Sequence, residues 1–378
     1  MRIKNLRIVI LILFFLGNCK IWTKSEKLDN EPVKIPEYVL YAHYIARGED
    51  ACITIIDMEK DSIVGRHKIS TGSEYITDFC LGPDGMLYFT VSDKNWTELG
   101  TTVKIFDPHT GEVQGKIKVD ARPCVIWRVP NNEAFVFHYR RALSDSLFFN
   151  TVIDLVTHKV RKIIKANLGG IPSSELFFSP DDSVWIIASK ELFPLYKQSR
   201  MFKFLPGEDV LSDTVMLDCD AVNGDSVWVM DIDFVTKNKL YATVAPIDTT
   251  YATYGILILE YPSGKQLKFI PENGVGGILV LPDNKVYIAQ CVSWVIGPGE
   301  NYIIVIDGMS DEMLKKIAIP RTPGPVMEYS PSLNKVYVPL YGGYIGVINS
   351  ETDELVKIIR DESFSDTLST YVRIIANK

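Results

Sequence analysis

One phrase recurs along this chain at a regular interval and restricts its fold more than any other feature. An apolar strand ends in an acid or amide, a short turn follows, and a second strand leaves it. The phrase reads ITIIDMEKDSIVGRHKI at 53–69, VKIFDPHTGEVQGKIKV at 103–119 and TVIDLVTHKVRKII at 151–164. It returns as YIIVIDGMSDEMLKKIAI at 302–319 and IGVINSETDELVKII at 345–359, with a looser copy, ILILEYPSGKQLKFI, at 256–270. At the strand ends stand Asp57, Asp107, Asp154, Asp307 and Asn349, whose side chains can accept hydrogen bonds from the turn amides. A second phrase alternates with the first: an apolar strand, a Pro-Asp-Gly-like turn and an aromatic strand, as in DFCLGPDGMLYFTV at 78–91 and ILVLPDNKVYIAQ at 278–290. Its turn prolines Pro83, Pro130, Pro180, Pro282 and Pro331 stand 47, 50, 102 and 49 residues apart, the double step spanning a copy with Thr236 at the turn. One unit is therefore about 50 residues and holds four short strands of period two.

Four-stranded units repeated around a ring make a β-propeller. A sandwich would not repeat its turn chemistry at a fixed interval, and a helical solenoid would space apolar residues by three and four. Full units begin near Thr77, Cys124, Ser174, Met230, Gly277 and Val326. Three strands are left at the front, in 38–45 and 53–69, and one at the back, in 371–378. Together they complete a seventh blade, closed by strands from both termini, which removes an open sheet edge. The expectation is an all-β, seven-bladed propeller over 37–378.

VPLYGGYIGVINSETDELVKII, FSPDDSVWIIAS, SPSLNKVYVPL and LGPDGMLYFTV resemble the YVTN-type repeats of bacterial seven-bladed propellers. The resemblance covers roughly 38–378. It implies a fold and says little about activity, because that superfamily includes surface proteins, binding modules and some enzymes.

The first residues read as a targeting segment. Arg2, Lys4 and Arg7 precede the apolar run Ile8 to Leu16, which is short for a spanning helix and suits a signal peptide. Leu16-Gly17-Asn18-Cys19 resembles the lipobox of bacterial lipoproteins, in which the cysteine is acylated and becomes the new N-terminus. Asn18 departs from the small residue usual at that place. The expected organisation is a signal peptide over 1–19, a polar tether over 20–36, and a propeller held to the membrane of the bacterial envelope through Cys19.

A net charge of −7 gives nucleic acid no electrostatic foothold. Beyond Cys19 the cysteines are Cys52, Cys80, Cys124, Cys219 and Cys291, an odd number with no C-x-x-C pair, so zinc and redox chemistry are not expected. One disulfide could form among them, and the sequence does not choose it. The five histidines form no motif. Asp218, Asp220, Asp225, Asp231 and Asp233 make an acid-rich stretch without the spacing of a calcium loop. No metal and no cofactor are expected.

Binding residues concentrate on loops held by rigid scaffolds. In a propeller these are the links between second and third strands and between blades, which share one face. Trp96, Arg122, Arg140, Arg141, Tyr196, Trp294, Arg321 and Tyr341 fall in such links, and their types dominate binding hot spots. The expected function is a monomeric, non-catalytic scaffold that binds an envelope protein or a glycan there. The alternative is an enzyme such as a lactonase or lyase at the channel mouth, using Glu74, Arg122, Glu175 and Arg321.

Overall fold

Every repeat folds into one antiparallel sheet of four strands, and there are seven sheets. The computed structural model describes residues 35–37, 39–45, 52–69, 74–93, 100–120, 123–138, 147–167, 171–179, 184–189, 200–204, 211–217, 227–246, 254–290, 301–362 and 371–377. Blade 2 holds β4 (Glu74–Leu81), β5 (Leu87–Asp93), β6 (Thr102–Asp107) and β7 (Glu112–Lys118). Blade 3 holds β8 (Pro123–Val129), β9 (Glu133–His138), β10 (Leu147–Asp154) and β11 (Lys159–Asn167), and blade 4 holds β12 (Ile171–Phe178), β13 (Val184–Ser189), β14 (Arg200–Phe204) and β15 (Leu211–Met216). Blade 5 is β16 (Val227–Thr236), β17 (Lys239–Pro246), β18 (Gly255–Glu260) and β19 (Gln266–Pro271). Blade 6 is β20 (Ile278–Val280), β21 (Lys285–Ala289), β22 (Asn301–Asp307) and β23 (Glu312–Ile319), and blade 7 is β24 (Glu328–Ser330), β25 (Lys335–Leu340), β26 (Tyr344–Asn349) and β27 (Glu354–Arg360).

Blade 1 is closed from both ends of the chain. It orders β28 (Tyr371–Asn377), β1 (Val39–Ile45), β2 (Cys52–Asp57) and β3 (Ser62–Lys68). β28 pairs with β1 over seven residues, from Val39 opposite Asn377 to Ile45 opposite Tyr371. A second tie lies at the same seam. Asp361, just after β27, is 1% exposed and accepts from Thr54 Oγ1 at 2.6 Å and Arg66 Nε at 3.1 Å, with Arg66 Nη2 2.5 Å from its other oxygen. All described strands, from β1 at Val39 to β28 at Asn377, pair among themselves.

The core sits between blades. Val39, Tyr41 and Ile55 of blade 1 pack on Phe79, Leu87 and Phe89 of blade 2, and Leu281 and Tyr287 of blade 6 pack on Val336 and Val338 of blade 7. Third strands are buried nearly throughout, while fourth strands such as β23 and β27 are mostly exposed.

The outer hairpins repeat their chemistry. The strand-end side chain bonds the turn amides: Asp307 Oδ1 accepts from Met309 N at 2.8 Å and Ser310 N at 3.1 Å, and Asn349 Oδ1 from Glu351 N and Thr352 N at 2.9 and 3.0 Å. These turn amides hold the Asp154 and Asp307 carboxyls below their ordinary range. The fifth turn residue adopts left-handed backbone and is Asp61, Gly111, His158, Gly264, Asp311 or Asp353. In three of these places an aspartate tolerates a conformation that glycine takes more easily, and each is gripped by the preceding blade. Tyr241 and Lys239 reach Asp311, Tyr287 and Lys285 reach Asp353, and Tyr337 and Lys335 reach Asp61, the lysines at 2.8, 3.2 and 2.8 Å. Burial first, then the facing aspartates, push these phenols well above their ordinary range.

The same hairpins carry a β-bulge. The register slips by one residue between Ile55 and Ile56, Ile105 and Phe106, Val152 and Ile153, Ile258 and Leu259, Val305 and Ile306, and Val347 and Ile348.

Candidate functional site

Strand order puts the links between blades and the links between second and third strands on one face, the loop face. The hairpin turns lie on the other. Among the described residues, the loop face is best defined between blades 6 and 7. Residues 320–327 lead from β23 into β24 and are zipped to the end of β25. Gly324 N donates to Pro339 O at 2.7 Å, Tyr341 N to Thr322 O at 3.0 Å, and Thr322 Oγ1 to Asn301 Oδ1 at 3.2 Å.

This holds Arg321 over Tyr344. The guanidinium carbon lies 4.0 Å from the ring centre, and Nη2 donates to the phenol oxygen at 3.2 Å. Arg360 pairs with Tyr344 across β26 and β27, and its guanidinium carbon stands 5.5 Å from the same ring. Two cations thus share one aromatic platform. The turn makes room for them. Gly342 and Gly343 have φ of 85° and 81°, and a Cβ on Gly342 would stand 2.7 Å from Arg321 Nη1. A stacked guanidinium keeps its planar donor fork, the geometry that takes up carboxylate, sulfate or phosphate oxygens.

Of the expected anchors, the structure brings Arg321 and Tyr341 to one place. Trp96, Arg122, Arg140, Arg141, Tyr196 and Trp294 lie outside the described residues, as does Cys19. Glu74 begins β4 and Glu175 lies within β12, and their side chains are likewise outside the description. Tyr344 and Arg360 were not anticipated. The aromatic after the glycine pair in YGGYIG was a usable signal for Tyr344; Arg360 had none before the register was known.

The acid-rich stretch has a structural use. Asp231 Oδ1 accepts from Ile232 N and Oδ2 from Ile278 N of blade 6, at 2.8 and 2.7 Å. Asp233 does the same with Phe234 N and Val280 N, at 2.8 and 2.9 Å, and Asp78 accepts from Ile126 N of blade 3 at 3.1 Å. These carboxylates clip first strands together. Burial, against the pull of its two amides, raises Asp233 to about 6. Asp218, Asp220 and Asp225 lie outside the described residues.

The described histidines are dispersed. His67 is buried and donates to Pro108 O at 2.9 Å, and His138 meets Thr151 Oγ1 at 2.8 Å. His158 reaches Asp84 at 3.2 Å on the turn face. Cys52 opens β2 and is half-buried, and Cys80 is buried in β4.

No protein-family profile matches the sequence, and no curated protein does. Solved structures do resemble it. A dihydro-heme d1 dehydrogenase, NirN, aligns at 16% identity and TM-score 0.54 over 85% of this chain and 63% of its own, so less than two thirds of that protein is spanned. Hydrazine synthase from Kuenenia stuttgartiensis aligns at 14% identity and TM-score 0.57, over 92% of this chain and 100% of the other. A candidate 6-phosphogluconolactonase from Bacteroides uniformis aligns at 13% and 0.57, over 90% and 100%. The fold is a seven-bladed β-propeller. At such identities the likeness carries the fold alone.

Proposed function

We propose that this propeller is a YVTN-type lipoprotein of the bacterial envelope, anchored through Cys19, whose loop face holds a protein or glycan partner without catalysis. The observation that supports this most is the shared platform of Arg321, Tyr344 and Arg360, fixed by the backbone bonds of 320–327. Arginine and tyrosine are the residue types that dominate hot spots, and a site already ordered gives up little entropy on binding. Two guanidiniums on one ring suit a partner that presents carboxylate or sulfate groups, as an acidic segment or acidic glycan would.

The test is crosslinking and recovery of partners from membranes, comparing wild type with Arg321→Ala and Tyr344→Ala. Both variants should recover markedly less of one specific partner. Equal recovery removes the loop face from the proposal. A lactone hydrolysed by the pure protein would put the enzyme reading in its place. In cells fed a fatty-acid analogue, label should enter wild type and not Cys19→Ala; equal labelling removes the anchor.

A further inference from the structure

The bulge in each outer hairpin turns one extra residue away from the sheet, and its identity changes around the ring. In blades 5, 6, 7 and 1 it is Leu267, Leu314, Val356 and Val64, exposed at 53%, 52%, 53% and 39%. In blades 2 and 3 it is Gln114 and Arg161. Blade 7 adjoins blade 1 through Tyr337 and Asp61, so the four apolar bulges are consecutive. A single exposed leucine needs no explanation. Apolar groups at one repeated position along one arc, with polar ones at that position in blades 2 and 3, form a patterned surface.

The outer strands of this arc are also basic. Lys268, Lys315 and Lys357 each come directly after the bulge, and each Nζ donates to a turn carbonyl of the next blade: Asp311 O at 2.7 Å, Thr352 O at 3.2 Å and Lys60 O at 3.0 Å. The four outermost strands of the arc, β3, β19, β23 and β27, together hold seven Lys and Arg against two Glu, in a chain whose net charge is −7.

We propose that this arc rests on an anionic lipid bilayer through its outer strands, with the loop face turned away. Lysines complement anionic headgroups, and an ammonium bonded to one carbonyl keeps further donors for phosphate oxygens. Apolar side chains beside them enter the boundary between headgroups and acyl chains. The bulges twist the outer edges and make them poor templates for a strand added by a protein partner. The chain before Ile35 also joins the ring at one end of this arc. Ile35 packs with Val39 and Tyr41 of blade 1, and the preceding 34 residues contain the apolar run 8–16. The inference depends neither on acylation of Cys19 nor on the loop-face partner.

Flotation of the ring, residues 35–378, tests it with vesicles of phosphatidylcholine alone or mixed with phosphatidylglycerol. The ring should float with the mixed vesicles and stay down with phosphatidylcholine. Leu314→Ser/Val356→Ser and Lys315→Gln/Lys357→Gln should each weaken binding about tenfold or more. Val113→Ser, at an exposed place on blade 2, and Arg321→Ala should bind as wild type does. Circular dichroism melts show that each variant is folded. Failure to float with the mixed vesicles overturns the proposal. So does binding that the lysine pair alone controls, which is charge attraction without a seated surface. If the apolar variant instead turns a dimer into a monomer in sedimentation and leaves flotation unchanged, the arc faces a second copy and the proposal falls.

Discussion

Removing the carboxylate of Asp361 should open the seam where the ring closes. Its side chain is fully buried and joins the end of blade 7 to two strands of blade 1 through Thr54 and Arg66. Asp361→Ala leaves the Thr54 hydroxyl, itself 0% exposed, and the Arg66 guanidinium without this acceptor. Breaking a buried ion pair from one side costs about 3–5 kcal/mol. Arg66 keeps 23% of its side chain in water, which places the effect near the lower end, about 3 kcal/mol. Unfolding entropy of about 2.1 cal/mol/K per residue makes that a fall in Tm of about 4 °C for a chain this long. Asp361→Asn keeps one acceptor and should lose about half as much. Lys60→Ala removes a close pair with Asp57, but Lys60 is 73% exposed and Tm should not move measurably. Calorimetry of the four proteins at one pH and salt decides. An Asp361→Ala melt within about 1 °C of wild type would refute the claim that this carboxylate holds the seam.

The left-handed aspartates make a paired prediction. Asp61→Gly relieves backbone strain as it removes the acceptor, whereas Asp61→Ala removes the acceptor and keeps φ at 50°, so alanine should be less stable than glycine by about 1 kcal/mol in urea unfolding. Equal stabilities would mean that the turn stores no strain. Asp233 predicts a pH dependence. Its folded pKa of about 6 lies above the ordinary 3.8, so between those values the folded state binds the extra proton and stability falls as pH rises. The full shift corresponds to about 3 kcal/mol, and less is expected because the residue is only half-buried. Asp154 and Asp307, with lowered pKa values, contribute the opposite slope and cancel when wild type is compared with Asp233→Asn. Between about pH 4 and pH 7 wild type should lose stability relative to the variant, and a constant gap in urea midpoints would contradict this.

The ring was legible because its determinants are local and repeated. A strand-end acid, a Pro-Asp-Gly turn and period-two alternation recur in place, and the unequal ends, 38–45 and 371–378, foretold the shared blade. The loop-face platform was only half legible. Arg321 lies in a link that any propeller would put there, but Arg360 meets Tyr344 only because the bulge after Ile348 moves the register by one residue. Counting back from the turn without it would set Ile359 opposite Tyr344. The latches were written as Lys-x-Tyr at 239–241, 285–287 and 335–337, yet their partners are turn residues of the next repeat, 66 to 276 positions away. Pattern within one unit cannot show a bond between units. Asp231 and Asp233 read as an acidic cluster because sequence displays charge and hides the backbone amides that take it up.

The latches all run one way around the molecule. Blades 5, 6 and 7 each offer a tyrosine hydroxyl forward, to Asp311, Asp353 and Asp61 in turn, so these contacts are head to tail and the last of them crosses the seam. A ring opened at the seam would leave Lys335 and Tyr337 as a hook at one end and Asp61 as an eye at the other, identical in every copy of the chain. Two opened chains could exchange these ends and close as a pair, and many could join into a filament. The bonds of Asp361 and β28 therefore separate a self-contained disc from a link in a polymer.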